Sequence, residues 1–246
     1  MIRRYLSSAL VLVVLLLAAS AWAGWMDKLK EAGEETGLIE SAGLSTEETV
    51  EGLKEALRVG VDRAVGFLGQ PGGYLNHEDV RIPMPDSLQS AADVARTMGK
   101  DEVVDEFVVS MNQAAERAVP EAVDVFTDAI KQMTFDDAKK ILKGPDDAAT
   151  RYFERTSSDD LTARFLPIVD EATDEVGVTR KYKNFTESLG PATSLMDMKA
   201  LDLDGYVTEK GLDGLFLTLA REEKKIRENP AARTTEILKK VFGSKQ

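Results

Sequence analysis

Apolar residues recur three and four positions apart along most of the chain, which is the spacing of one face of an α-helix. Val50 and Leu53 begin the first such stripe, and Val241 and Phe242 close the last. The pattern predicts an all-α fold, a single-domain multi-helix bundle of about nine or ten helices over residues 45–243.

Cap and turn residues predict where several helices begin and end. Asp86 and Thr134 each precede a helical stripe, and side chains of these types accept hydrogen bonds from the free amides of a first turn. Gly144 ends the short helix that Thr134 begins, and Pro145 opens the next one.

The second half of the chain continues the helical pattern. One stripe ends at Phe153 and another begins at Leu161, which predicts two successive helices. Pro167 falls inside the second stripe, where we expect a kink because proline removes a backbone hydrogen bond. A long helix is predicted to begin near Leu203.

A strip of small residues marks the first helix, where Gly52, Ala56, Gly60 and Ala64 lie four positions apart. Glycine inside a helix costs roughly 1 kcal/mol relative to alanine, and close packing against another helix would compensate. In a membrane such a strip is typical of a dimerisation face. We expect intramolecular packing, with Gly60→Leu destabilising the domain by overpacking.

Two stretches lack the helical stripe. Residues 24–44 are rich in glycine and glutamate towards their end, which predicts an N-terminal tether. Residues 70–85 form a longer irregular loop, in which Val80-Arg81-Ile82 alternates and is followed by Pro83. The loop therefore has room for one short edge strand.

The first 23 residues have the three parts of a secretory signal peptide. Arg3 and Arg4 precede a leucine-rich apolar run, and Ala21-Trp22-Ala23 has the small-x-small pattern of a cleavage site. We therefore expect an exported protein that begins at Gly24 and resides in the periplasm of a Gram-negative cell. An uncleaved N-terminal anchor is the alternative.

The composition narrows the possible chemistry. The chain has no cysteine and one histidine, which excludes disulfides, thiol nucleophiles and a multi-histidine zinc site. Its net charge is −12, and loss of Arg3 and Arg4 with the signal makes it −14. Such an acidic chain is repelled by phosphates, so we expect no nucleic-acid partner. No cofactor or metal is predicted.

Two local features of the sequence are candidate sites. Asp202-Leu203-Asp204-Gly205 resembles part of a calcium loop, but the closing bidentate glutamate is missing, since Gly211 stands in its place. We expect the aspartates to cap a helix instead. His77, in a polar loop, is expected to be solvated rather than catalytic.

Long segments of the chain resemble a known family. They include KQMTFDDAKKILKGPDDAATRYFERTSSDDL at residues 131–161, GYLNHEDVRIPMPDSLQ at 73–89 and FLPIVDEATDEVGVTRKYKNF at 165–185. They resemble a family of exported proteobacterial proteins known as domain of unknown function 4197, over roughly residues 45–243. The resemblance implies export and a helical domain, and it implies no activity.

The first of these segments also holds the candidate polar site. Two predicted helix starts place paired carboxylates in their first turns, and Asp147 stands four residues before Arg151. The candidate residues are Asp136, Asp137, Asp146, Asp147, Arg151, Tyr152 and Arg155. They predict a site for a charged group or, alternatively, helix caps and salt bridges with a structural role. Asp147 and Arg151 are the pair expected to carry any function.

Three functions remain open at this point. We favour a non-enzymatic binding or interaction protein of the cell envelope, holding an unknown protein or an apolar ligand between its helices. A carboxylate-dependent hydrolase is an alternative, because acidic residues are too plentiful to identify a catalytic pair. A membrane-peripheral protein is another, in which Trp25, Met26 and Leu29 make a weak contact with the lipid surface.

Overall fold

The computed structural model of the protein describes residues 46–190 and 202–228. The predicted signal peptide at 1–23 and tether at 24–44 lie outside the described residues. So do the proposed membrane contact and the final apolar stripe, with Val241 and Phe242.

The described residues form eight α-helices and no strand, so the predicted all-α class is confirmed. The number is below the nine or ten helices predicted for the whole chain. None of these helices is both long and apolar enough to cross a membrane. The helices are α1 (Thr46–Leu68), α2 (Asp86–Thr97), α3 (Asp101–Ala118), α4 (Ala122–Gln132), α5 (Phe135–Lys143), α6 (Ala148–Val176), α7 (Val178–Ser188) and α8 (Leu203–Glu228).

Helix α6 replaces the two successive helices predicted around Phe153 and Leu161. Buried residues recur at intervals of four along its whole length, and the member that connects the two apolar stripes is Ser157, which is 1% exposed. Because this buried position is polar, the sequence pattern looked interrupted. The helix also continues through Pro167 and ends at Gly177, which has a φ of +73°.

The core is centred on α6 and α8, which pack against each other and against α3 and α1. Aromatic side chains fill the centre. The ring centroids of Phe126 and Phe153 are 5.0 Å apart, and those of Phe126 and Phe216 are 6.1 Å apart in an edge-on arrangement. These contacts hold α4, α6 and α8 together.

The irregular loop between α1 and α2 holds no strand, which corrects the expectation for Val80–Ile82. The side-chain amide of Asn112 on α3 takes the place of a neighbouring strand. Its Oδ1 accepts from the Ile82 amide at 2.8 Å, and its Nδ2 donates to the Ile82 carbonyl at 2.9 Å. The Tyr74 hydroxyl also donates to the Gly211 carbonyl on α8 at 2.7 Å, which fixes the loop against the bundle.

The predicted helix boundaries are mostly confirmed. Thr134 begins α5 with a capping box, Gly144 ends it, and α8 starts at Leu203. Asp86 is not a cap: it is the first residue of α2, and Pro85 holds the flanking position without a side-chain hydrogen bond. Pro145 likewise precedes α6, which begins at Ala148.

The strip of small residues on α1 is buried, as predicted, and at Gly60 it faces side chains of α8. A Cβ atom added at Gly60 would lie 3.9 Å from Ile226 Cδ1 and 4.0 Å from Leu219 Cδ1, which are ordinary van der Waals distances. A small cavity of about 20 Å³ lies at this contact. The helices therefore meet through side chains of α8, and Gly60 leaves room for a methyl group.

Candidate functional site

The candidate polar residues divide into a capping box, an ion pair, an aromatic contact and two solvated carboxylates. At the start of α5, Asp137 Oδ2 accepts from the Thr134 hydroxyl at 2.6 Å and from the Thr134 amide at 3.2 Å. These hydrogen bonds, that of the hydroxyl above all, hold the pKa of Asp137 below its ordinary value. Asp136 beside it is exposed.

Asp147 and Arg151 form the predicted ion pair on the surface of α6. Arg151 Nε donates to Asp147 Oδ2 at 2.9 Å, and the Arg151 side chain is 65% exposed. Asp147 flanks the first turn of α6 without capping it through its side chain. Asp146 is exposed. Such a solvated pair contributes little to stability and encloses no space for a ligand.

Tyr152 and Arg155 form the third contact of the predicted site. The guanidinium carbon of Arg155 lies 5.7 Å from the centroid of the Tyr152 ring. Burial raises the pKa of Tyr152, and the charge of Asp137 raises it further while Arg155 opposes both. Asp137, Tyr152 and Arg155 are therefore close, but no hydrogen bond or ion pair within the described residues joins them to Asp147 and Arg151. Tyr152 also lines a pocket of about 220 Å³ between α4 and α6.

A buried carboxylate on α8 holds the start of α6. Glu223 Oε1 accepts from the Ala149 amide at 2.9 Å, and Oε2 accepts from the Thr150 amide at 2.9 Å and the Thr150 hydroxyl at 3.0 Å. Arg227 Nη2 donates to Glu223 Oε1 at 2.8 Å and to the Ile141 carbonyl at 2.9 Å. Glu223 thus supplies the cap that Asp147 does not.

Sequence analysis missed this cap, although a signal was present. Glu223 interrupts the apolar stripe of α8 between Leu219 and Ile226, a position where a carboxylate must be buried. Helix α3 carries the same signal at Asn112 and Glu116. Glu116 Oε1 accepts from the amides of Tyr74 and Leu75 at 3.1 and 3.2 Å. All three polar side chains bind backbone groups of other elements.

A groove of about 680 Å³, here called the α6–α8 groove, lies between α6 and α8. The two helices run antiparallel, since Glu223 meets the start of α6 while Asp204 at the start of α8 accepts from the Thr173 hydroxyl at 2.6 Å. The groove is lined by Glu154, Ser158, Thr162 and Leu166 of α6, and by Asp202, Gly205, Thr208, Glu209, Leu212, Asp213 and Phe216 of α8.

Thr208 in this groove has an unusual environment. Its side chain is 2% exposed, and within the described residues its Oγ1 has no hydrogen-bond partner. Other buried hydroxyls of the helices are bonded, as Thr218 is to the Gly214 carbonyl at 2.8 Å and Ser110 to the Phe107 carbonyl at 2.7 Å. An unsatisfied buried hydroxyl lowers the free energy of unfolding by about 1–3 kcal/mol. A ligand that bonds to the Thr208 hydroxyl would recover this energy.

The charge of the groove is negative. Among the described residues, four carboxylates line it, and no lysine or arginine does. Lys210 stands beside the groove, where its Nζ lies 2.8 Å from Asp213 Oδ2 and 3.4 Å from Glu209 Oε1. The hydrogen bond to Asp213 raises the pKa of Lys210. This one cation offsets part of the negative charge, while within the described residues Glu154 has no cationic partner.

The two other candidate sites, the aspartates at the start of α8 and His77, have structural roles or are exposed. Asp202 Oδ1 accepts from the Gly205 amide at 2.8 Å, which confirms that Asp202 caps α8. Asp204 bonds Thr173, as described above. Over residues 46–190 and 202–228, no three histidine, aspartate or glutamate side chains are grouped to hold a metal ion. His77 is exposed, with its ring centroid 4.5 Å from that of Phe67.

Comparison with known proteins identifies one family. The family described as "Protein of unknown function (DUF4197)" matches residues 43–243, which is most of the chain. No curated protein and no solved structure matches the chain.

Proposed function

Since the chain belongs to the DUF4197 family of proteins of unknown function, we propose a function from its own geometry: a non-enzymatic binding protein of the cell envelope that holds a ligand in the α6–α8 groove. The observation that carries this proposal is the unpartnered, buried hydroxyl of Thr208 in a groove of about 680 Å³. That volume lies within the range of small-molecule sites.

The lining supports binding over hydrolysis. A hydroxyl nucleophile needs a base within hydrogen-bond reach. The Ser158 hydroxyl donates to the backbone carbonyl of Glu154 at 2.5 Å, and neither Thr162 nor Thr208 bonds to a carboxylate within the described residues. The apolar side chains Leu212 and Phe216 add a surface for a hydrocarbon portion of the ligand. A groove of this kind binds a molecule by contact and leaves its bonds intact.

The envelope location rests on the sequence. Residues 1–23 have the charge, apolar core and cleavage pattern of an export signal, and the mature protein would begin at Gly24. N-terminal sequencing of the protein from the periplasmic fraction tests this part of the proposal. An intact Met1 recovered from the membrane fraction would contradict it.

Site-specific photocrosslinking in the native cell tests the groove. The photoreactive residue p-benzoylphenylalanine replaces Thr162, which lines the groove, or Ala163, which is exposed on the same helix and does not line it. We expect an adduct at position 162 and none at 163, detected by intact mass and by gel. Absence of an adduct at 162, or equal adducts at both positions, would overturn the proposed site.

A further inference from the structure

The charges along the α6–α8 groove indicate which class of ligand it takes. We infer that the ligand is a linear aliphatic polyamine, a chain of methylene groups that carries several ammonium groups. This inference rests on the proposed function, and it goes further by naming the chemistry of the ligand.

The groove is elongated. It extends on α8 from Asp202 to Phe216, which is about 20 Å of helix at roughly 1.5 Å per residue. On α6 it extends from Glu154 to Leu166, which is nearly as long. Because the two helices are antiparallel, Glu154 and Asp202 stand near opposite ends. An elongated ligand fits this track better than a compact one.

The negative charges are spread along the length of the groove. The carboxylates of Asp202, Glu209 and Asp213 follow one another along the track, and Glu154 adds a fourth near the far end. Asp202 also caps α8, and Lys210 pairs with Glu209 and Asp213, so the lining keeps a net negative charge. Separated negative charges are matched best by separated positive charges, and a single-headed cation would satisfy only one of them. A polyamine places an ammonium group every few ångströms along an extended chain.

The lining of the groove also has apolar side chains beside the carboxylates. Leu166, Leu212 and Phe216 offer apolar contact for methylene segments, and Leu166 is 41% exposed. Thr208 lies in the same lining, and within the described residues its buried hydroxyl has no partner. Its oxygen can accept an ammonium hydrogen once the side chain turns towards the groove, so a bound polyamine would satisfy this hydroxyl.

Calorimetric titration of the mature chain with spermine at low ionic strength tests the inference. We expect one site per chain, with affinity falling as salt is added. Glu154→Gln and Glu209→Gln should each weaken binding about fivefold, and Thr208→Val by a similar factor. The matched controls Asp136→Asn and Glu171→Gln remove the same charge outside the groove and should leave the affinity unchanged.

Three outcomes would overturn the polyamine. The first is equal weakening by the control variants, which indicates general attraction to an acidic surface. The second is tighter binding of trilysine than of spermine, which indicates a basic peptide. The third is no spermine binding although the adduct at position 162 forms, which keeps the groove and changes the ligand class. Loss of that adduct overturns the proposed function itself, so the two failures are distinguishable.

Discussion

The interface between α6 and α8 has two polar regions, and they differ in how completely their buried polar groups are paired. At the start of α6, the free amides of Ala149 and Thr150 are bonded to Glu223, which in turn is held by Arg227. Farther along, the α6–α8 groove contains Thr208, whose hydroxyl has no partner within the described residues. Paired groups stabilise a fold, whereas an unpaired buried group beside open space is available to a ligand.

The predicted pair Asp147 and Arg151 is a solvated salt bridge at the surface. We therefore expect the start of α6, where Glu223 binds its free amides, to be a structural joint between α6 and α8. We expect the function in the groove. The following changes separate the two regions, from the largest expected effect to the smallest.

Loss of the Glu223 carboxylate should have the largest effect. Glu223→Ala removes the carboxylate that accepts from two buried helix amides and from Arg227, so we expect a loss of about 3–5 kcal/mol in the free energy of unfolding. Urea denaturation measures it. Glu171→Ala, at an exposed position of α6, is the control and should change stability by less than about 0.5 kcal/mol. A Glu223 variant as stable as this control would contradict the structural role of the joint.

The contact at Gly60 borders the same joint and should respond to side-chain size. Gly60→Leu exceeds the small cavity of about 20 Å³ and should cost about 1–3 kcal/mol. Gly60→Ala instead places a methyl group at ordinary contact distance and should stabilise the protein by about 1 kcal/mol. Thermal melts of both variants suffice. If alanine destabilises, α1 and α8 are closer than described.

The capping box of α5 should depend on pH. Asp137→Asn is expected to cost about 1 kcal/mol at neutral pH, because the ionised carboxylate accepts from Thr134. The pKa of Asp137 is lowered in the fold, so its contribution is complete above the ordinary value and is lost as pH falls through the lowered one. The free energies of unfolding of the wild-type protein and of Asp137→Asn should therefore converge as the pH falls from neutral to below the ordinary aspartate pKa. A constant gap would contradict this.

The ion pair at the surface of α6 should contribute least. Asp147→Asn and Arg151→Gln are each expected to change stability by less than about 0.5 kcal/mol, because both side chains are solvated. Neither should alter the adduct formed at position 162. Stable variants that lose this adduct would return the function to the predicted polar site.

Sequence reasoning succeeded where the cause is local. Thr134 and Asp137 are three residues apart, so their capping box follows from the chain alone. It failed where a polar residue is buried inside a helix stripe. Ser157 interrupted the stripe of α6. The position of Glu223 indicates a buried carboxylate, but not that it caps a helix starting more than seventy residues earlier.

The groove was beyond the reach of the sequence for a further reason. Thr208 resembles any other threonine in an amphipathic helix until its burial and hydrogen bonds are known. The lining also combines two helices, and their register follows only from tertiary contacts such as that between Thr173 and Asp204. Periodicity predicts the face of each helix, but it does not show which faces leave space between them.

The most direct test of the central claim is the stability of Thr208→Val, measured together with the adduct at position 162. Valine has the shape of threonine and a similar helix propensity, and it removes the unpaired hydroxyl. We predict a gain of about 1–2 kcal/mol in the free energy of unfolding and a weaker adduct. A loss of stability with an undiminished adduct would show that the hydroxyl serves the fold and does not serve a ligand.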